Sequence, residues 1–409
     1  MKMTRRISAF SLLVAPLFFS VFGGSAPKPP AKHKYVAFVG TYTTKTESKG
    51  IYALEFDADT GKLTPRGLAA ETLDPSWVAV HPSGKFLYAA NEAGKASTLS
   101  GFAIDAQSAK LTLVKQLPAV GEDPCYLSFD RTGRFLLSAN YTSGNSVAFE
   151  ILPNGTPGTH AESPNYGMSP NVGKLGPNKE RQEAQHAHWI QPSQDNHFVY
   201  VADLGLDSIL TFRFNPDAWK TGKPILSSTP NGDFFDPAAV LAPGTGPRHA
   251  VFSSSERFLY VLGELKSTVT IFAHNGEKFR SVQVISMLPP GFSGRNDAAE
   301  IAIHSSGKFL YASNRGEDTI AVFAIDPQKG TLTHIENVPT QGKEPRHFAI
   351  DPTGRYLLAE NQNSNTIVEF RIDTATGKLT PTDEVVHVPS PVCLAFLSAD
   401  GAHVPVPQE

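Results

Sequence analysis

The sequence predicts an all-β chain: a seven-bladed β-propeller with four-stranded blades, its ring closed by N- and C-terminal strands meeting in one blade. Three observations carry this expectation. A motif recurs about every fifty residues along most of the chain. Each recurrence holds short runs with apolar residues at alternate positions, the period of a strand rather than a helix. The 33 Gly and 32 Pro among 409 residues supply turns between such runs, and 26 Phe and 11 Tyr supply bulk for packing sheet on sheet. A closed ring of small sheets satisfies all three and leaves no long sheet edge exposed.

The repeat is clearest in His81-Pro-Ser-Gly-Lys-Phe-Leu-Tyr-Ala-Ala-Asn91 and His304-Ser-Ser-Gly-Lys-Phe-Leu-Tyr-Ala-Ser-Asn314. Asp130–Asn140 and Asp351–Asn361 share the form, Gln191–Asp203 and Ser253–Glu264 are divergent copies, and a truncated copy ends at Gly401. The turn residues are Gly84, Gly133, Asp195, Glu256, Gly307, Gly354 and Gly401, at intervals of 49, 62, 61, 51, 47 and 47 residues. Each copy reads as a strand, a tight turn and a second strand. A third strand such as Ile320–Ile325 follows, and then a hairpin of the form Asp57–Leu63 or Asp373–Leu379 into a fourth. Six copies are complete. The seventh takes its first strand from Val392–Leu397 and the rest from Tyr35–Leu63, because Tyr35–Thr41 has the form of a second strand. Residues 35–409 are therefore expected to make one propeller domain. The two long intervals contain Leu152–Gln185 and Asn215–Gly246, rich in Pro, Gly and Asn. Both enter first strands from one rim, where long loops are expected to cover a functional face.

Residues 1–26 read as a signal peptide. Lys2, Arg5 and Arg6 precede the apolar Ile7–Phe22, and Gly23, Gly24, Ser25 and Ala26 offer a cleavage region. Thr4-Arg5-Arg6 hints at the twin-arginine route as an alternative to the general secretory one. Residues 27–34 read as a Pro-containing linker. Export to the periplasm or beyond is the expected outcome. A net charge of −3 offers no general attraction for nucleic acid or anionic membrane. The expected partner is a small molecule, with no nucleic acid, no membrane after signal cleavage, and a monomeric chain. Cys125 and Cys393 fall two blades apart, too far to bridge, so two buried free thiols are expected.

Equivalent positions in successive blades lie at equal distance from the propeller axis, so the register can be read around one rim. Nine residues before the turn stand Pro75, Pro124, His186, Pro247, Ala298, Pro345 and Val392. Next come Ser76, Cys125, Ala187, Arg248, Ala299, Arg346 and Cys393, then Trp77, Tyr126, His188, His249, Glu300, His347 and Leu394. Closing the second strand are Thr41, Glu92, Tyr141, Leu204, Glu264, Arg315 and Gln362. Ionisable residues gather in blades three to six. Desolvating so many polar groups at a narrow mouth is costly unless they bind something, although single members of such a set often only tie neighbouring blades together. Three arginines suit an anionic ligand, because guanidinium pairs with carboxylate or phosphate through two parallel hydrogen bonds. Glu264 beside Arg248 is expected to be ionised and able to activate water, with His186 or His188 as proton donor. His188, His249, Glu300 and His347 have metal-ligand chemistry, but neighbouring arginines would repel a cation, so neither metal nor cofactor is expected. No Gly-x-Ser-x-Gly elbow, phosphate-cradling glycine loop or His-Glu-x-x-His motif occurs.

Gly246-Pro-Arg-His249, Glu264-Leu265, Ala298-Ala-Glu-Ile301, Ser313-Asn-Arg-Gly316, Glu344-Pro-Arg-His347 and Val39-Gly-Thr-Tyr42 together resemble the seven-bladed lactonases. That family includes bacterial 6-phosphogluconolactonase and fungal carboxy-cis,cis-muconate cyclase, and the resemblance spans Tyr35 to Gly401. It implies a metal-free site at His186, Arg248, Glu264 and Arg315, acting on lactones that carry carboxylate or phosphate. His188, His249, Glu300, Arg346, His347 and Gln362 are the expected substrate-binding residues. The expected function is hydrolysis of an aldono- or phosphoglucono-lactone. The alternatives are a carboxymuconate-type cycloisomerase and a non-enzymatic exported binding propeller.

Overall fold

Alternating apolar residues and tight turns fold into seven antiparallel sheets in the computed structural model, which describes residues 33–162, 174–218, 225–227, 238–275 and 279–399. The expected signal peptide, the expected linker up to residue 32 and the last ten residues lie outside the described residues, as do parts of both long insertions. The first strands are Pro75–Val80 (blade 1), Pro124–Phe129 (blade 2), Ala187–Pro192 (blade 3), Pro247–Phe252 (blade 4), Asp297–Ile303 (blade 5), Pro345–Ile350 (blade 6) and Pro391–Ser398 (blade 7). Six sheets have four strands; in blade 3 two short strands, Leu226–Ser227 and Ala239–Val240, pair along the outer side of Ser208–Phe214. Blade 7 closes the ring: Pro391–Ser398 pairs antiparallel with Lys34–Thr41, followed by Gly50–Asp57 and Lys62–Glu71. The expected seam between the two ends of the chain is present.

The core lies between the blades, where strand faces bury Phe38, Phe56, Phe102, Phe135, Phe149 and Phe212 almost completely. The repeated turn also serves packing. His81 donates from Nε2 to the Gly133 carbonyl of the next blade at 2.7 Å, and His304 does the same to Gly354 at 2.8 Å. Tyr88 and Tyr311 donate to the hairpin carbonyls of Gly155 and Gly377, each at 2.8 Å. Both cysteines are buried and free.

The turn geometry corrects the register in two blades. Gly84, Gly133, Gly307 and Gly354 have φ near 70°, and the matching residue of blade 3 is Asn196 (φ 61°), not Asp195. Asn occupies the left-handed region readily, so it replaces Gly there. Ala187 therefore takes the proline position and His186 precedes the strand. In blade 7, Thr41 pairs with Pro391, which moves that blade by one residue as well. Tyr42, rather than Thr41, then matches Glu92 and Glu264.

Candidate functional site

A β-bulge interrupts the pairing of first and second strands in all seven blades, at Pro75/Trp77, Pro124/Tyr126, Ala187/Trp189, Pro247/Ala250, Ala298/Ile301, Pro345/His347 and Gly40/Thr41. The extra residue leaves the ladder and bends the strand, so consecutive side chains such as Arg248 and His249 are both available to the mouth and axis. In six blades the residue before the first strand accepts a hydrogen bond from the backbone N–H of the residue after the second strand. The pairs are Asp74–Glu92, Asp123–Tyr141, His186–Leu204, Gly246–Glu264, Glu344–Gln362 and Ser390–Tyr42. With Arg315, which pairs with Asp297 in blade 5, these ties set Tyr42, Glu92, Tyr141, Leu204, Glu264, Arg315 and Gln362 around one rim.

Glu264 is the centre of the charge at this rim. Its Oε1 lies 2.6 Å from Arg181 Nη2 and 3.1 Å from Arg315 Nη2, and its Oε2 lies 3.2 Å from Arg248 Nε. Burial alone would raise the pKa of its carboxyl, but the guanidiniums of Arg315, Arg248 and Arg181 outweigh that and hold it far below the usual carboxylate range. The group is therefore ionised and weakly basic. Burial, reinforced by the nearby guanidiniums of Arg346 and Arg315, pushes Arg248 down to about 10. Arg248 Nη1 donates to the Ala299 carbonyl at 2.5 Å, and Arg315 Nη2 donates to that of Ala298 at 3.3 Å. Three guanidiniums share this one buried carboxylate, with the more exposed Asp297 at 4.0 Å from Arg181 Nη1 and Glu344 at 3.8 Å from Arg315 Nη1, and the blade 5 backbone fixes Arg248 and Arg315.

His186 stands beside this cluster. Its Nδ1 donates to the Tyr141 carbonyl at 2.9 Å, its ring stacks on Tyr141 at 4.3 Å, and its Nε2 lies 3.2 Å from Glu183 Oε1. The Nδ1–H bond leaves Nε2 as the proton-accepting nitrogen of the neutral ring. His188 is buried against Cys125 Sγ at 3.6 Å, and burial together with Arg248 holds it well below the ordinary histidine value. The same burial pushes the Cys125 thiol up, so it is no nucleophile.

The remaining expected residues divide into two groups. His249, Glu300 and His347 fill the axis beneath the mouth, each no more than 5% exposed. His249 Nδ1 is 3.0 Å from Glu300 Oε2, which is 3.7 Å from His347 Nε2, and His347 Nδ1 is 2.7 Å from Glu360 Oε2. Trp77 and Tyr126 set their rings edge-on to His249 at 5.3 and 5.0 Å. Arg248 Nη1 lies almost equidistant from both ring nitrogens of His249, at 3.2 and 3.3 Å, and so rests over its face. This layer supports Arg248 from below. Among the described residues no three His, Cys, Asp or Glu side chains are grouped so as to hold a metal ion. Arg346 turns the other way, donating from Nη2 to Tyr42 Oη at 2.9 Å. Gln362 holds its rim position through its backbone.

Sequence reasoning missed Arg181, Glu360 and Tyr42. Arg181 belongs to the first long insertion, outside any repeat register, so only the expectation of a functional cover pointed towards it. Glu360 carried a readable signal, since the matching residues of blades 1 to 5 are Ala90, Ala139, Ala202, Leu262 and Ser313. Beside Arg181 a cleft of about 520 Å³ opens, lined among others by Asn178, Lys266, Ser267, Asn296 and Asp297.

Residues 36–396 match the family described as lactonase, 7-bladed beta-propeller. The chain is 35% identical over 366 residues to a 6-phosphogluconolactonase of Bacillus subtilis, covering 89% of this chain and 99% of that protein. It is 33% identical to a 6-phosphogluconolactonase of Formosa agariphila, over 76% of this chain and 85% of the relative. Among solved structures, the periplasmic gluconolactonase of Pseudomonas aeruginosa superposes with a TM-score of 0.80 at 31% identity, over 90% of this chain and 99% of that one. The chain belongs to the seven-bladed β-propeller lactonase family.

Proposed function

We propose that the protein hydrolyses a sugar lactone at the channel mouth, and that the observation carrying this reading is the buried Glu264 carboxylate gripped by Arg181, Arg248 and Arg315. Hydrolysis turns a neutral ester carbonyl into a tetrahedral oxyanion, and fixed cations in a desolvated site favour that charge more than they favour the ground state. The arginines supply the cations, and Glu264 holds them together against their mutual repulsion. Its carboxyl is too weak a base to be the group of choice for activating water. His186 suits that task better: its Nδ1–H is anchored on the Tyr141 carbonyl, which leaves Nε2, buried 3.2 Å from Glu183 Oε1, as the nitrogen to take a proton from water.

Export bears on the substrate. The charged and apolar leader of residues 1–26 agrees with the periplasmic description of the Pseudomonas aeruginosa relative. Phosphorylated sugar lactones are scarce outside the cytoplasm, so an unphosphorylated aldonolactone is the favoured substrate. The test is proton release in a pH-stat, with the chain from residue 27 onward offered glucono-δ-lactone and its 6-phosphate. Opening above the spontaneous rate is expected, with the unphosphorylated lactone preferred. No acceleration with either lactone, together with loss of diene absorbance on a carboxymuconate, would assign the mouth to cycloisomerisation instead.

A further inference from the structure

The rim carries a second polar assembly, on the side of the mouth formed by blades 6, 7 and 1. Arg346 Nη2 donates to Tyr42 Oη at 2.9 Å, and Tyr42 Oη donates to Glu92 Oε2 at 2.9 Å. Ser76 Oγ donates to Glu92 Oε1 at 2.6 Å. The Arg346 guanidinium also lies over the Tyr42 ring, 5.3 Å from its centre. The assembly copies the plan of blade 4. There Arg248 of the first strand meets Glu264 at the rim; in blade 1 Ser76, at the matching position, meets Glu92 at the rim. The two carboxylates differ in environment. Glu264 is buried among guanidiniums, whereas Glu92, Tyr42 and Arg346 are each only half-buried.

Building on the hydrolytic reading above, we propose that Tyr42 is the proton donor to the departing ring oxygen of the lactone, with Arg346 steadying its oxygen and Glu92 holding it in place. When the tetrahedral intermediate collapses, the bond from the former carbonyl carbon to the ring oxygen breaks and its electron pair goes to that oxygen. The Tyr42 hydroxyl proton moves to it, giving the free hydroxyl of the product and a phenolate paired with Arg346. The proton that His186 took from water returns to the phenolate, and the new carboxylic acid ionises to solvent, so one proton is released per turnover. In the resting arrangement the hydroxyl proton faces Glu92, and donation to substrate exchanges one oxygen acceptor for another. Burial pushes the Tyr42 phenol up, which keeps its proton in place until an alkoxide, a stronger base, appears. Burial likewise raises Glu92, while the guanidiniums hold Glu264 down, so the two rim carboxylates sit in opposite electrostatic settings.

A leaving-group comparison tests this. Glucono-δ-lactone expels an alkoxide whose conjugate acid is roughly as weak as water, near 15.7, and needs a proton. Dihydrocoumarin expels a phenoxide of pKa about 10 and does not. Tyr42→Phe is expected to lower kcat on glucono-δ-lactone about 100-fold and to leave the rate on dihydrocoumarin within a few-fold. Glu92→Gln should show the same selectivity with a smaller loss, both variants keeping the wild-type circular dichroism. Equal losses on both lactones, or no loss on either, would overturn the assignment and make Tyr42 structural. Wild-type protein that opens neither lactone would instead sink the hydrolytic reading on which the assignment rests.

Discussion

Glu264 shows how one side chain can organise a site without performing its chemistry. Replacing it by Gln removes the carboxylate that Arg181, Arg248 and Arg315 share, leaving only the more distant Asp297 and Glu344 beside Arg181 and Arg315, and like charges that close repel. A loss of kcat/KM on the order of 100-fold is expected, measured by pH-stat. The variant also has a stability signature. A carboxylate whose folded pKa is depressed adds stability that is fully present above its ordinary value near 4.5 and is lost as pH falls from there through the folded value. Urea unfolding of wild type and Glu264→Gln should therefore show a gap that is constant near neutrality and narrows below about pH 4.5; a gap independent of pH would contradict the ion-pair network. For His186, His186→Ala should cost roughly 100-fold or more in kcat, with partial rescue by added imidazole. Rescue failing while the fold is intact would remove His186 from proton transfer.

Among the elements, the first strands and the insertion preceding blade 3 divide the work. The bulged first strands deliver Arg248 and Arg346 from fixed register positions, and for that reason those residues were legible in the sequence; His188, which matches Arg248 rather than His249, was read one position off. Repeats with Gly at the turn aligned themselves. The copies with Asp195-Asn196 and with the truncated end did not, because the left-handed turn position is marked only by φ when Gly is absent. That slip concealed Tyr42. Arg181 was illegible for another reason: an insertion has no repeat to register it, and its contact with Glu264 comes from tertiary folding. Arg181→Ala should accordingly leave the unfolding midpoint near that of wild type, because this side chain is partly exposed, while lowering kcat/KM at least ten-fold. A fall in stability without a change in kcat/KM would make the insertion a decoration.

For the whole molecule, closure of the ring couples both ends of the chain to the mouth. Phe38, fully buried on the strand that pairs with Pro391–Ser398, packs the closing blade. Phe38→Ala should cost about 3–5 kcal/mol in urea unfolding, with activity lost in parallel as the rim opens beside Tyr42. The two buried thiols give an independent readout, since Cys125 and Cys393 should react with a thiol reagent only on unfolding. Fold, ring closure and the cationic half of the mouth followed from repeat and register, because a propeller converts sequence position into radial position. The sharpest discrimination comes from initial rates of glucono-δ-lactone opening by wild type and by Arg315→Gln, at matched unfolding midpoints. A cationic mouth that stabilises the oxyanion requires wild-type opening well above the spontaneous rate and a loss of about 100-fold in the variant. Equal rates for the two proteins would contradict it.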